Sequence, residues 1–199
     1  MVVAHRDGWF EGANDNAAGV ATLIGLAEYF AKIPKEQRRR SIIFLGTSGH
    51  HDNVAESGTW LREHPEVFAK TAVLFNAEHT GGMDTGSASI LASNAPAPYR
   101  WYGTGARLAD IIVKAMDAFG VPSFAQSVPS PPGEIGRYYQ YAPSVEIINT
   151  AYVWHSDHET PETISTTGLA AVTRTYAKVI ADTDSIGLKE LRASLATRP

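Results

Sequence analysis

Apolar positions along this chain of 199 residues follow two alternating periods. Apolar runs stand at Met1–Ala4, Ser41–Thr47 (SIIFLGT) and Thr71–Ala77 (TAVLFNA), and Ser144–Asn149 (SVEIIN) is a further strand. Each reads as a strand covered on both faces, the second and third as central strands. A weaker strand signal lies at Ser89–Ala92. Between the runs the period changes to three and four. Val20, Leu23, Ile24, Ala27 and Phe30 give one buried face to a helix over 17–32, with N-cap chemistry at Asp15-Asn16 and a stop at Pro34. Leu108, Ile111, Ile112, Ala115 and Phe119 do the same over 104–119, closed by Gly120. A short helix over 57–69 is interrupted at His64-Pro65. A long helix covers 164–181 and a terminal one 186–195. Residues 94–102 read as irregular. Residues 121–137, punctuated at Pro129, Pro131 and Pro132, read as a long loop of the kind that often carries function. Strands alternating with helices predict an α/β fold, a three-layer α/β/α sandwich around a mostly parallel mixed sheet, in one domain over 1–199.

Hydrophobic residues make up 44% of the chain and charged residues 19%, enough apolar surface for a packed core. The net charge of −4 gives no basic surface, and Arg38-Arg39-Arg40 reads as a solvated helix-to-strand loop rather than a nucleic-acid patch. No apolar run reaches the roughly 18 residues of a membrane-spanning helix. No signal-peptide pattern stands at the N-terminus, and the compartment stays open. The absence of cysteine changes the picture most. It removes disulfides and thiolate ligands, so a metal would have to be held by His, Asp and Glu.

Six of the seven histidines, His5, His50, His51, His79, His155 and His158, fall in loops at strand ends. Any one alone reads as a surface or capping residue. In a parallel sheet, however, sites form beyond the carboxyl ends of the strands. Imidazoles and carboxylates gathered there are a donor set suited to zinc.

His5-Arg6-Asp7, followed by Gly12-Ala13-Asn14-Asp15-Asn16-Ala17-Ala18-Gly19, resembles the opening signature of the M28 family of zinc aminopeptidases, His-x-Asp and then Gly-Ala-x-Asp-Asn-x-x-Gly. The resemblance continues through Phe44–Thr47 and Asn76-Ala77-Glu78, and closes at Trp154-His155-Ser156 with Thr160-Pro161-Glu162 downstream. It implies a zinc-peptidase-like fold whose first strands would precede Met1. It also implies a metal-dependent peptide hydrolase, an aminopeptidase, that uses water activated at one or two zinc ions. The substrate would be a peptide or amino-acid derivative. Under the resemblance His5 binds one metal, Asp15 bridges two, His155 binds the second, and Glu78 takes the place of the family's Asp ligand. Asp7 holds His5 in orientation, and Asn16 supports the Asp15 loop. Asp15 also reads as a plain N-cap, and both roles are compatible.

The chain departs from the family where Gly-Glu-Glu is replaced by Gly49-His50-His51. His50 then stands as the catalytic proton acceptor and His51 as the ligand. Asp52 is the other candidate for that ligand if the loop carries a two-residue insertion. Trp154 replaces a Tyr that stabilises the oxyanion, Glu159 replaces the Asp four residues after the last His, and Gly133-Glu134 replaces Ser/Gly-Asp. A substrate pocket is expected from Phe124, Tyr138 and Tyr139 in the 121–139 loop, with Trp154 facing it. Three readings stay open: an active peptidase, a metal-binding relative of weak catalysis, and a metal-free scaffold.

Overall fold

The computed structural model describes residues 1–51, 59–60, 63–84 and 94–195. The expected strand at Ser89–Ala92, Asp52, and part of the 57–69 helix lie outside the described residues. Among the described residues six strands form one mixed sheet: β1 (Val2–His5), β2 (Phe44–Thr47), β3 (Leu74–Asn76), β4 (Tyr99–Gly103), β5 (Ser123–Gln126) and β6 (Ser144–Asn149), in the order β2-β1-β3-β6-β4-β5. The first four strands in that order are mutually parallel. β4 runs antiparallel to β6 and parallel to β5.

Helices α1 (Gly19–Ala31), α3 (Gly105–Phe119) and α4 (Thr166–Asp184) cover one face. There Leu26, Phe30, Ile112, Val172 and Tyr176 pack against Val2, Phe75, Val145 and Ile147 of the sheet. The alternate strand residues Val3 and Leu74 face the other layer, made of α2 (Pro65–Lys70) with Phe68 and the segment carrying Ile135, Tyr138 and Ala142. The period-2 alternation of strand side chains thus divides each strand between two cores. A short helix α5 (Leu188–Ala193) follows α4. The expected three-layer sandwich is the observed fold.

Several local expectations are corrected. β2 is an edge strand of the described sheet, not a central one, because apolar content reports covered faces and not paired edges. Residues 94–102 contain β4, whose Tyr-Arg-Trp-Tyr stretch pairs with β6. The 121–137 loop contains β5 and a 3₁₀ turn, Glu134–Arg137. On α1 the buried line is Thr22, Leu26 and Phe30, with Ile24 exposed. Gly120 closes α3 in the left-handed region, φ 65°, as its position suggested. Arg40 donates from Nη1 to the carbonyls of Thr183 and Asp184 at 2.9 and 2.6 Å, so the arginine triplet serves the exposed C-terminus of α4.

Candidate metal centre

Because β1, β2, β3 and β6 are parallel, their carboxyl ends line one rim of the sheet. His5 ends β1, His50 and His51 follow β2, Glu78 and His79 follow β3, and His155 follows β6. Asp15 enters from the kinked turn Ala13–Ala18 that precedes α1, where Asp15 and Asn16 leave helical geometry.

Asp15 is the centre of the cluster. Its Oδ1 lies 3.1 Å from His5 Nε2 and 3.1 Å from His79 Nε2. Its Oδ2 lies 2.7 Å from His155 Nε2 and 3.5 Å from His51 Nε2, and accepts the indole N–H of Trp154 at 3.0 Å. Glu78 Oε1 forms a second acidic point, 3.8 Å from His50 Nε2 and 3.9 Å from the Nε2 atoms of His5 and His79. The His50 ring stacks on His5 with centroids 4.2 Å apart, and His51 meets both edge-on.

Two side chains hold this geometry. Asn16 donates to the carbonyls of His5 and Ala77 at 3.2 and 3.0 Å and accepts the N–H of His79 at 3.1 Å. It therefore fastens the Asp15 turn to the ends of β1 and β3. Glu159, fully buried, accepts the backbone N–H groups of Asn14 and Asp15 on Oε1 at 3.0 and 2.6 Å, and that of His155 on Oε2 at 2.8 Å. One carboxylate thus ties the two loops that carry Asp15 and His155.

The donor set suits a cation. His5 Nδ1 lies 3.0 Å from the Asp7 carbonyl and His79 Nδ1 lies 2.9 Å from the Asn149 carbonyl. Carbonyls only accept, so both rings carry hydrogen on Nδ1 and turn Nε2 toward Asp15. A neutral Nε2 and a carboxylate oxygen repel each other unless a proton or cation lies between. His5 Nε2, His51 Nε2 and Asp15 Oδ1 are buried with no hydrogen-bond partner among the described residues. Two ligands of one tetrahedral zinc, each at about 2.0–2.1 Å, are about 3.3 Å apart, close to the observed 3.1 Å. Donor atoms of His5, His50 and Glu78 lie within 4.8 Å of one another, as do those of His5, Asp15 and His51.

The same geometry sets the protonation of the cluster. Burial pulls the His5 imidazole down, but Asp15, Glu78 and Glu134 outweigh it and push it up to about 9. His79 is raised by the same balance, burial against Asp15 and Glu78. Burial works to raise Asp15, and the His5 and His79 rings hold it far below the usual carboxylate range. His50 is lowered, first by burial and then by His5 and His51, against the opposing pull of Glu78. It is a neutral base at neutral pH.

The structure brings His5, Asp15, His51, Glu78 and His155 together with His50. Asp7 sits differently from the expectation. Its backbone carbonyl orients His5, while its carboxylate accepts the N–H of His51 at 3.1 Å and stands 3.6 Å from His5 Nδ1. Asp15 does not cap α1, which starts at Gly19 with no side-chain cap, because the carboxylate faces the imidazoles. Trp154 spends its N–H on Asp15. Tyr138 is a core residue stacked on Phe68, not a pocket wall. Tyr139 is half-buried against Tyr102, and Phe124 is exposed on edge strand β5 beside a depression lined by Pro98, Arg100 and Thr150. His79, one of the six strand-end histidines, was given no role from the sequence. The signal was its place directly after Glu78 at a strand end. What turns its ring inward is a backbone in the left-handed region, φ 48°, which the sequence does not announce.

An α/β sandwich with an imidazole–carboxylate cluster at the carboxyl rim of its parallel strands places this protein in a recognisable class. The chain belongs to peptidase family M28, whose model matches residues 1–180. No curated protein matches it in sequence. Among solved structures it is similar to the aminopeptidase from Aneurinibacillus sp. strain AM-1, at 17% identity and a TM-score of 0.75 over 94% of this chain and 43% of that one. It is similar to BSAP, a zinc aminopeptidase from Bacillus subtilis, at 15% and 0.72 over 95% of this chain and 47% of that one. It is also similar to Porphyromonas gingivalis glutaminyl cyclase, at 16% and 0.66 over 91% and 70%. These likenesses are likenesses of fold. The chain spans less than half the length of either aminopeptidase.

Proposed function

We propose that this chain carries the zinc centre of a peptide hydrolase of aminopeptidase type. The observation that supports this reading is the convergence of four imidazole nitrogens, from His5, His51, His79 and His155, on the two oxygens of Asp15. His5, Asp15, His51, Glu78 and His155 would hold the metal. Zinc, when bound, supplies Lewis-acid polarisation of the scissile carbonyl.

The protein's own groups do the rest. His50 is neutral, lies over His5 and reaches toward Glu78, so it accepts the proton of the attacking water and returns it to the leaving amine. Asp7 fixes the two ligands on either side of it, His5 through its carbonyl and His51 through its carboxylate. Trp154 holds Asp15 against His155.

The test is turnover of a panel of aminoacyl amides by the zinc-loaded protein. Hydrolysis that falls by about 10²–10⁴ in the His50→Ala variant supports the reading. No turnover above that variant refutes it. A second reading, a metal-binding relative of weak catalysis, is favoured by the His50-His51 pair standing where the family resemblance places two carboxylates. Stoichiometric zinc in an inert protein would select it.

A further inference from the structure

A carboxyl group buried in the middle of a sheet needs a reason, because an apolar side chain of the same size would be cheaper to bury. Glu146 is such a group. It sits on β6, a strand buried along its whole length, beside Asn76 of β3 in parallel register. Its Oε1 accepts one N–H of the Asn76 amide at 2.8 Å. Its Oε2 has no hydrogen-bond partner among the described residues. The other N–H of the same amide goes to Glu78 Oε2, also at 2.8 Å.

We propose that Glu146 is a positioning residue for the metal centre, acting through Asn76 to hold Glu78 so that only Oε1 is presented to the cation. The inference rests on the reading of Glu78 as a ligand. Glu78 Oε2 accepts from Asn76 and also from the backbone N–H of Glu134 at 2.7 Å, so it is engaged twice. Oε1 is left facing the Nε2 atoms of His5, His50 and His79. The amide of Asn76 has two hydrogens and an acid on each. With Glu78 on one hydrogen and Glu146 as the acceptor of the other, the two bonds together fix the plane of the amide. The backbone beneath is held as well. The Tyr176 hydroxyl from α4 donates to the Asn76 carbonyl at 2.6 Å and accepts the N–H of Ile147 at 2.7 Å. Burial, reinforced by the charge of Glu78, pushes Glu146 well above the ordinary carboxylate range. A neutral acid offers Asn76 an acceptor without placing a second negative charge beside Glu78.

The experiment compares zinc affinity, by competition with a chromophoric chelator, and the visible spectrum of the Co²⁺-loaded protein in wild type, Glu146→Leu and Glu146→Gln. Leu keeps the packing and removes the acceptor. Gln is neutral and keeps the acceptor. The expected result is about a 10–100-fold loss of zinc affinity and an altered Co²⁺ spectrum in Glu146→Leu, with Glu146→Gln near wild type. An unchanged Glu146→Leu, or a Glu146→Gln that falls as far as Glu146→Leu, overturns the proposal. Asn76→Ala removes the bridge from its other end and serves if Glu146→Leu does not fold. It is expected to lose affinity equally, and full affinity in it overturns the proposal too. Wild type that binds no zinc overturns the metal-centre reading and this inference with it. Wild type that binds, with unchanged variants, overturns this inference alone.

Discussion

Replacing Glu159 by Gln changes one oxygen to an NH₂ group and nothing else in shape. In the native structure its two oxygens take three backbone N–H donors, from Asn14, Asp15 and His155, at 3.0, 2.6 and 2.8 Å. The amide oxygen of Gln can keep the first two, now without the charge. Its NH₂ must then meet the N–H of His155, donor against donor. A hydrogen bond to a charged group is worth about 1.5–3 kcal/mol, and an unsatisfied buried donor costs about 1–3 kcal/mol. One lost bond with an orphaned donor, plus two weakened ones, amounts to about 3 kcal/mol. For a protein of this size 1 kcal/mol shifts the melting temperature by about 2–4 °C. The metal-free Glu159→Gln protein should therefore melt about 6–12 °C below wild type. Glu159→Asp, too short to span both loops, should fall at least as far. Thermal denaturation followed by circular dichroism reads both. A Glu159→Gln melt within about 1 °C of wild type would show that the clamp does not hold the Asp15 and His155 loops, and the account of how the centre is assembled would be wrong.

Three further outcomes follow from the same geometry. Gly133→Ala should destabilise the protein by about 2 kcal/mol or more, since Gly133 has φ 62° and an added Cβ would stand 2.5 Å from both carboxylate oxygens of Glu78; an unchanged urea midpoint refutes this. His79→Phe keeps the ring but removes the donor to the Asn149 carbonyl, and should cost about 1–3 kcal/mol in the same measurement; stability equal to wild type would mean the ring nitrogens are not engaged. Glu146 supplies a pH dependence. Burial, then the charge of Glu78, raises it well above the ordinary value, against smaller opposing effects of Asn76 and Arg100. The unfolded chain loses this proton near pH 4.5 and the folded one holds it, so stability falls as pH rises above that value, by up to about 1.4 kcal/mol per unit. Glu146→Gln should remove that slope, leaving the variant more stable than wild type at pH 8 and equal to it near pH 4.5. Parallel curves for the two proteins would refute the assignment of the proton.

The elements that position the centre were legible where one physical signal dominated. β1 and β3 are buried on both faces and lie in apolar runs, β6 shows through Val145, Ile147 and Ile148 despite Glu146, and the donors stand at their carboxyl ends. β4 was hidden because Pro96 and Pro98 stand just before it, and loop chemistry next to a short strand masks the alternation. The 121–137 segment hid β5 for the same reason. The ligand set of the resemblance fell at one place, but its supports did not announce themselves. Glu159 acts on backbone N–H groups far away in sequence, and nothing local marks that. Tyr138 read as a pocket aromatic because composition cannot tell which side of a short turn faces inward. His79 depended on a single left-handed residue, a feature of tertiary packing and not of propensity.

The bond from the Trp154 indole to Asp15 has a practical corollary. Of four tryptophans in the chain, Trp154 touches the central carboxylate directly, and Trp9 lies edge-on to His51 with ring centroids 5.8 Å apart. Indole emission responds to the field and the quenchers around it. An ion that redistributes charge on Asp15 is therefore expected to change the glow of the unlabelled protein, which would then serve as an optical gauge of binding.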